Sequence, residues 1–272
     1  MTENNITYQN SSIFYSTIGK GKTVVLIHGF AEDNTIWEKQ VLFLKDHFKL
    51  ILPNIPGTGK SAFLNNATIE TYADIIKQIV DVEAKKTDGE NGAEICIIGH
   101  SMGGYVTLAF AEKHPQYLSG FGLFHSSAFA DNEEKIQTRL KSISFIKENG
   151  SHAFLKTMIP NLFTSAFTKN NSDLVNELIE KGRAYSIETL VQYYEAMIER
   201  PDRTAVLKEF LKPVLFIIGE FDTAIPLQTS LQQCYLPQNS HVHILNKSAH
   251  MGMREETYKV NEILIEFLKS IV

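Results

Sequence analysis

The sequence predicts an α/β fold: a mainly parallel central sheet flanked by helices and interrupted by an all-helical insertion. Three observations predict it. Short apolar, β-branched runs alternate with longer helical patterns through residues 1–125 and again through 212–272, the rhythm of strand–helix–strand units around a parallel sheet. Runs such as Thr23-Val24-Val25-Leu26-Ile27 are hydrophobic throughout, as strands covered on both faces must be. Residues 126–211 contain amphipathic helical stretches and no convincing buried strand. The core domain is therefore expected over 1–125 and 212–272, with a helical insertion over 126–211.

The elements follow in order. An opening strand pair covers Ile6–Gln9 and Ser12–Ile18, with a tight turn at Asn10-Ser11. Gly19-Lys20-Gly21-Lys22 turns the chain into the strand beginning at Thr23. A helix is expected from about Trp37 to His47, where Trp37 packs it onto the sheet, followed by a strand at Leu50–Leu52. A second helix runs from about Ile69 to Lys85, with a polar loop at Lys86–Gly92. Ala93–Ile98 reads as a buried strand and Met102–His114 as a helix stopped by Pro115. Gly120–Phe124 completes the first half. Strands at Val214–Ile218 and His241–Leu245 and a helix from about Glu255 to Ile271 complete the second. The insertion leaves from a strand end, where ligands bind in open α/β sheets.

Composition narrows the function classes. Hydrophobic residues make up 43% and charged residues 21%, with a net charge of −5 and no basic block or acidic tail. Nothing argues for nucleic acid or a membrane surface as partner. Two cysteines, Cys96 in an apolar run and Cys234, form neither a disulfide framework nor a zinc site. The start of the chain lacks the pattern of a signal peptide, and no apolar run reaches the ~18 residues of a membrane span. A cytoplasmic protein is expected, with no metal or organic cofactor.

Gly99-His100-Ser101-Met102-Gly103 lies between a predicted strand and a predicted helix and matches the G-x-S-x-G nucleophile elbow. The turn strains the serine and exposes its Oγ. Gly99 and Gly103 leave room for neighbouring backbone, and the helix N-terminus favours developing negative charge. Ser101 needs a base and an acid. The resemblance of this chain to the α/β-hydrolase family implies His250 as the base, with His125 as the alternative, and Asp222 as the acid, with Glu220 as the alternative. The order Ser101, Asp222, His250 is the order this elbow type uses.

With those residues in place, the chain resembles the α/β-hydrolase superfamily over nearly its whole length, on its serine-nucleophile, esterase-like branch. Leu26-Ile27-His28-Gly29-Phe30 looks like the family's strand-end H-G segment, and Gly219-Glu220-Phe221-Asp222-Thr223-Ala224-Ile225-Pro226 like its acid loop. The resemblance implies an oxyanion hole of the Phe30 and Met102 backbone N–H groups, supported by His28 and Gly29. It also implies hydrolysis of a small-molecule carboxylic ester through an acyl-enzyme. The H-G segment lacks an H-G-G-G form, which favours small or medium acyl groups. C–C bond hydrolysis, perhydrolysis and a lyase reaction use the same three residues. Tyr105 stands where the lyase branch carries arginine, and Ser101 argues against the aspartate-nucleophile dehalogenases and epoxide hydrolases. A non-catalytic binding protein of the same fold is the different-class alternative.

Two further features were weighed. Pro56-Gly57-Thr58-Gly59-Lys60-Ser61 imitates the end of a phosphate loop, but Asn54 stands where that pattern needs glycine, so a structural turn is expected. In the insertion, Phe154, Met158, Phe163 and Phe167 are candidates for pocket lining together with His125, as are some of Tyr185, Tyr193, Tyr194 and Met197. Arg139 reads as part of a solvated helix face, with contact to an anionic substrate as the alternative.

Overall fold

The structure is a computed structural model that describes residues 1–86 and 94–271. The described residues form a sheet of eight strands: β1 (Thr2–Tyr8), β2 (Ser11–Ile18), β3 (Thr23–Ile27), β4 (Lys49–Pro53), β5 (Ile95–His100), β6 (Leu118–Phe124), β7 (Val214–Gly219) and β8 (Ser240–Leu245). The order across the sheet is β1-β2-β4-β3-β5-β6-β7-β8. β1 with β2 and β2 with β4 are antiparallel; every other neighbouring pair is parallel. The β1–β2 turn falls at Gln9-Asn10, one residue earlier than expected, both with positive φ (46° and 63°), as a two-residue hairpin with matching twist requires. Of the polar loop expected at 86–92, all but Lys86 lies outside the described residues, as does Ala93.

Burial explains the strands. β5 and β7 are buried at every position, which is why their sequences are apolar without alternation. β8 is an edge strand, with Val242 and Ile244 exposed.

The helices are α1 (Glu38–Leu44), α2 (Ile69–Lys85), α3 (Met102–Lys113), α4 (Glu133–Asn149), α5 (Ser151–Met158), α6 (Ser165–Asn170), α7 (Ser172–Lys181), α8 (Ile187–Glu199), α9 (Thr204–Glu209), α10 (Leu227–Cys234), α11 (Gly252–Glu255) and α12 (Thr257–Ser270). α2 shows how sequence sets an element. Thr68 and Thr71 cap it reciprocally, and Ile69, Tyr72, Ala73, Ile76, Ile79 and Val80 bury one face. The stretch expected to be one helix from Trp37 is a 3₁₀ turn (Asn34–Trp37) followed by α1. Trp37 is fully buried between the His100 and Phe124 rings. α10 was not foreseen, because Leu227-Gln-Thr-Ser-Leu-Gln-Gln-Cys234 carries too few apolar residues to show a stripe.

Helices α4 to α9 fill the interval between β6 and β7. His250 N–H donates to the Leu162 carbonyl at 2.9 Å and Thr164 N–H to Glu255 at 2.8 Å, which ties this interval to the loop after β8. The Gly57–Ser61 segment is a turn: Ser61 Oγ donates to Asn54 O (2.8 Å) and accepts from Phe14 N–H (2.8 Å). No described helix is long and apolar enough to cross a membrane.

Candidate active site

The site is built where β5 passes into α3. Ser101 sits between them at φ 50°, ψ −116°, a conformation that costs a non-glycine residue on the order of 1–3 kcal/mol. Its surroundings enforce the turn: Ser101 N–H donates to Phe124 O at 2.9 Å, and Ser126 Oγ donates to Ser101 O at 2.7 Å. The flanking glycines are steric necessities. A Cβ at Gly99 would lie 2.2 Å from the Gly103 carbonyl, and one at Gly103 would lie 2.5 Å from that of Ile27.

The loop after β7 brings Asp222 to the same place, buried at 5% exposure. Its Oδ1 accepts the Ala224 and Ile225 N–H groups at 2.9 Å each. Its Oδ2 accepts from His250 Nδ1 at 2.8 Å and lies 3.3 Å from His125 Nδ1. Burial alone would raise the carboxyl pKa; the two imidazoles outweigh it and hold the group well below the usual range. Glu220, the alternative acid, is exposed. The geometry therefore pairs His250 with Asp222 and not with Glu220, and Ser101 and His250 border one cavity.

His125 lies under this pair rather than in the cavity. Burial pushes its pKa down to about 4, and backbone geometry agrees. Gly219 N–H points at Nδ1 (3.1 Å) and Gly252 N–H at Nε2 (3.2 Å), so an imidazolium would face two donors with two donors. His125, Asp222 and His250 also place potential ligand atoms within 4.8 Å of one another, as a metal site would. Nδ1 of both rings approaches the same carboxylate oxygen, His250 at 2.8 Å as its hydrogen-bond donor and His125 at 3.3 Å.

One partner escaped the sequence reading. His100 borders the cavity, bonding Glu32 Oε2 through Nδ1 (3.0 Å) and the His250 carbonyl through Nε2 (3.0 Å). A carboxylate oxygen and a carbonyl oxygen both accept, an arrangement that favours the protonated ring. Burial opposes that charge, and the Glu32 carboxylate overcomes it, raising the His100 pKa. Glu32 Oε2 also accepts Gly29 N–H at 2.6 Å. No motif marks Glu32, because its role exists only through tertiary contact. His28 fixes the same loop: Nδ1 donates to Gly29 O (2.9 Å) while Nε2 accepts Ile55 N–H (3.0 Å).

Ser101 and His250 open into a cavity of about 490 Å³, bordered also by Phe30, Met158, Leu162, Tyr194 and Met197 and by one face of α4. Of the residues expected to line it, Met158, Tyr194 and Met197 do, while Phe154, Phe163, Phe167 and His125 do not. Phe154 packs edge-on behind the lining, against Phe30 (6.4 Å) and Tyr194 (5.9 Å). Phe163 stacks on Phe167 at 5.1 Å, filling the helical interval's own core. Tyr193 turns away, its hydroxyl donating to Pro56 O at 2.8 Å. Arg139, expected on a solvated face, has a side chain only 15% exposed and borders the cavity.

This architecture is that of a hydrolase, and the chain belongs to the α/β-hydrolase fold family, whose sequence model matches residues 22–257. Among curated relatives, it is 27% identical to 2-hydroxy-6-oxononadienedioate/2-hydroxy-6-oxononatrienedioate hydrolase 1 of Pseudomonas putida, over 94% of this chain and 92% of that one. A thermophilic esterase from Thermogutta terrifontis, solved with malate bound, superposes with a TM-score of 0.90 at 26% identity, covering 100% of this chain and 99% of the other. The enol-lactonase from Burkholderia xenovorans LB400 shares the fold, with a TM-score of 0.88 at 19% identity over 98% and 100% of the two chains.

Proposed function

We propose that this protein is a serine hydrolase that cleaves carboxylic esters with small to medium acyl groups. Ser101 is the nucleophile, His250 the base and Asp222 the acid. The observation that carries the reading is the buried Asp222–His250 hydrogen bond at 2.8 Å, in a cavity that also exposes a serine on a strained strand–helix turn. His250 commits Nδ1 to Asp222 and so offers Nε2 to the Ser101 hydroxyl. As Oγ attacks the carbonyl carbon, the imidazole takes its proton. The tetrahedral oxyanion is received by the backbone N–H groups of Phe30 and Met102. Met102 opens α3, so its N–H belongs to the turn that lacks a helical acceptor. The imidazolium then protonates the departing alcohol. Water attacks the acyl-enzyme with His250 again as base, releasing the acid and restoring the serine hydroxyl.

Helices α4 to α9 act as a lid over Ser101 that shapes the pocket without entering the chemistry. A panel of p-nitrophenyl esters, thioesters, lactones and β-diketones tests the class. Wild-type protein is expected to turn over short and medium esters, and Ser101→Ala to abolish that turnover. On the same panel, Met158→Ala should shift the chain-length preference roughly tenfold to a few hundredfold. An unchanged acetate-to-octanoate ratio would remove Met158 from the pocket.

A second reading has its own support. The relative from Pseudomonas putida is named for a dienedioate that it hydrolyses, and the same nucleophile and base serve C–C bond hydrolysis. Turnover of the diketones with inert esters would select it.

A further inference from the structure

Helix α4 turns a polar stripe, not an apolar one, toward the cavity. Lys135, Thr138, Arg139 and Ser142 recur at i, i+3, i+4 and i+7 and all border it. The rest of the lining includes the apolar Phe30, Met158, Leu162 and Met197. A pocket for a purely hydrocarbon chain has no use for this asymmetry.

Charge makes the stripe specific. Arg139 Nε and Nη2 donate to the two oxygens of Asp131. Arg200 Nη2 donates to Asp131 Oδ1 at 2.9 Å and to the Phe129 carbonyl at 3.0 Å. Asp131 and Arg200 side chains are 0% and 3% exposed. Among the described residues, Asp131 is the one carboxylate within 4 Å of either guanidinium. Two buried cations therefore share one anion. Lys135 adds a third cation, held by the Ala224 carbonyl at 3.2 Å. Glu134, exposed at the same wall, is the second carboxylate. The carboxylates on the floor are already engaged, Glu32 with His100 and Asp222 with His250. The wall keeps one positive charge in excess, and Arg139 borders the same cavity as the proposed nucleophile. A planar guanidinium fork, locked in place by Asp131 and lying 5.5 Å from the Tyr194 ring centre, is suited to receive a carboxylate.

We propose that α4 forms an anion subsite, and that the substrate carries a carboxylate which Arg139, with Lys135 beside it, holds while the scissile carbonyl meets Ser101. This rests on the reading of Ser101 as nucleophile. The carboxylate can belong to the acyl part or to the leaving part, and substrates separate the two. Monoethyl esters of succinic, glutaric and adipic acids carry it on the acyl side; acetoxyacetate carries it on the leaving side. Each is compared with a neutral ethyl or acetyl ester of matched length.

On one of the two sides, wild-type protein is expected to favour the anionic ester at least tenfold in kcat/KM. Arg139→Met should collapse that ratio at least tenfold, mainly through KM, and Arg139→Lys should keep part of it. Melting curves of the variants check that they are folded. Turnover of neutral esters with no anionic preference on either side overturns the subsite and leaves the nucleophile standing. Calorimetric titration of Ser101→Ala with monoethyl glutarate and with acetoxyacetate reads the subsite without chemistry, and so decides it even where no ester is cleaved. Binding of either that weakens at least tenfold on adding Arg139→Met supports it; binding of both that is indifferent to residue 139 overturns it.

Discussion

Alanine at His250 and asparagine at Asp222 are each expected to lower kcat at least about 10³-fold on the best ester, and adding either to Ser101→Ala to change little further. The reason lies in how Asp222 is used. Its Oδ1 is saturated by the Ala224 and Ile225 N–H groups, so Oδ2 is the oxygen that fixes the His250 tautomer. An asparagine keeps Oδ1 on those donors and turns its NH₂ toward His250 Nδ1. The ring must then protonate on the nitrogen that should receive the Ser101 proton. Steady-state kinetics on the folded variants check this. Near-normal activity in Asp222→Asn would contradict the account, and exposed Glu220 offers no rescue. Near-normal activity in His250→Ala would shift the base to His125, against a ring that geometry keeps neutral and outside the cavity.

The second large effect is on stability. Asp131→Ala removes the one carboxylate between Arg139 and Arg200. Breaking a buried ion pair from one side costs about 3–5 kcal/mol, because the desolvated charge that remains has no counterion. For a chain of this size the melting temperature is expected to fall by roughly 6–20 °C. Arg200 keeps the Met197 and Phe129 carbonyls, which places its share of the loss at the lower end. Thermal unfolding followed by circular dichroism decides the matter. A melting temperature within about 2 °C of wild type would show that the cluster is solvated and its charge unimportant.

The fold was legible in the sequence where burial is one-sided in its demands. β3, β5 and β7 must be apolar along their whole length because both faces are covered, and α2 announces itself by a cap and a stripe. α10 and the 3₁₀ turn before α1 were not legible, since a short helix with few apolar residues leaves no period to detect. The nucleophile, acid and base candidates could be read because each lies in a local pattern fixed by backbone geometry. Glu32 and Asp131 could not, because their roles come from His100 and from two arginines that only the fold brings near. Arg139 shows the limit most clearly. The i, i+3, i+4, i+7 stripe is present in the sequence, but a polar stripe looks the same whether it faces water or a cavity.

The central claim is that Ser101 Oγ is the nucleophile, and covalent capture tests it most directly. A fluorophosphonate added to folded wild-type protein is expected to raise the intact mass by one phosphonyl group, mapped by peptide sequencing to Ser101 and absent in Ser101→Ala. Pure, folded protein that gains no adduct, or carries it on another residue, would contradict the account.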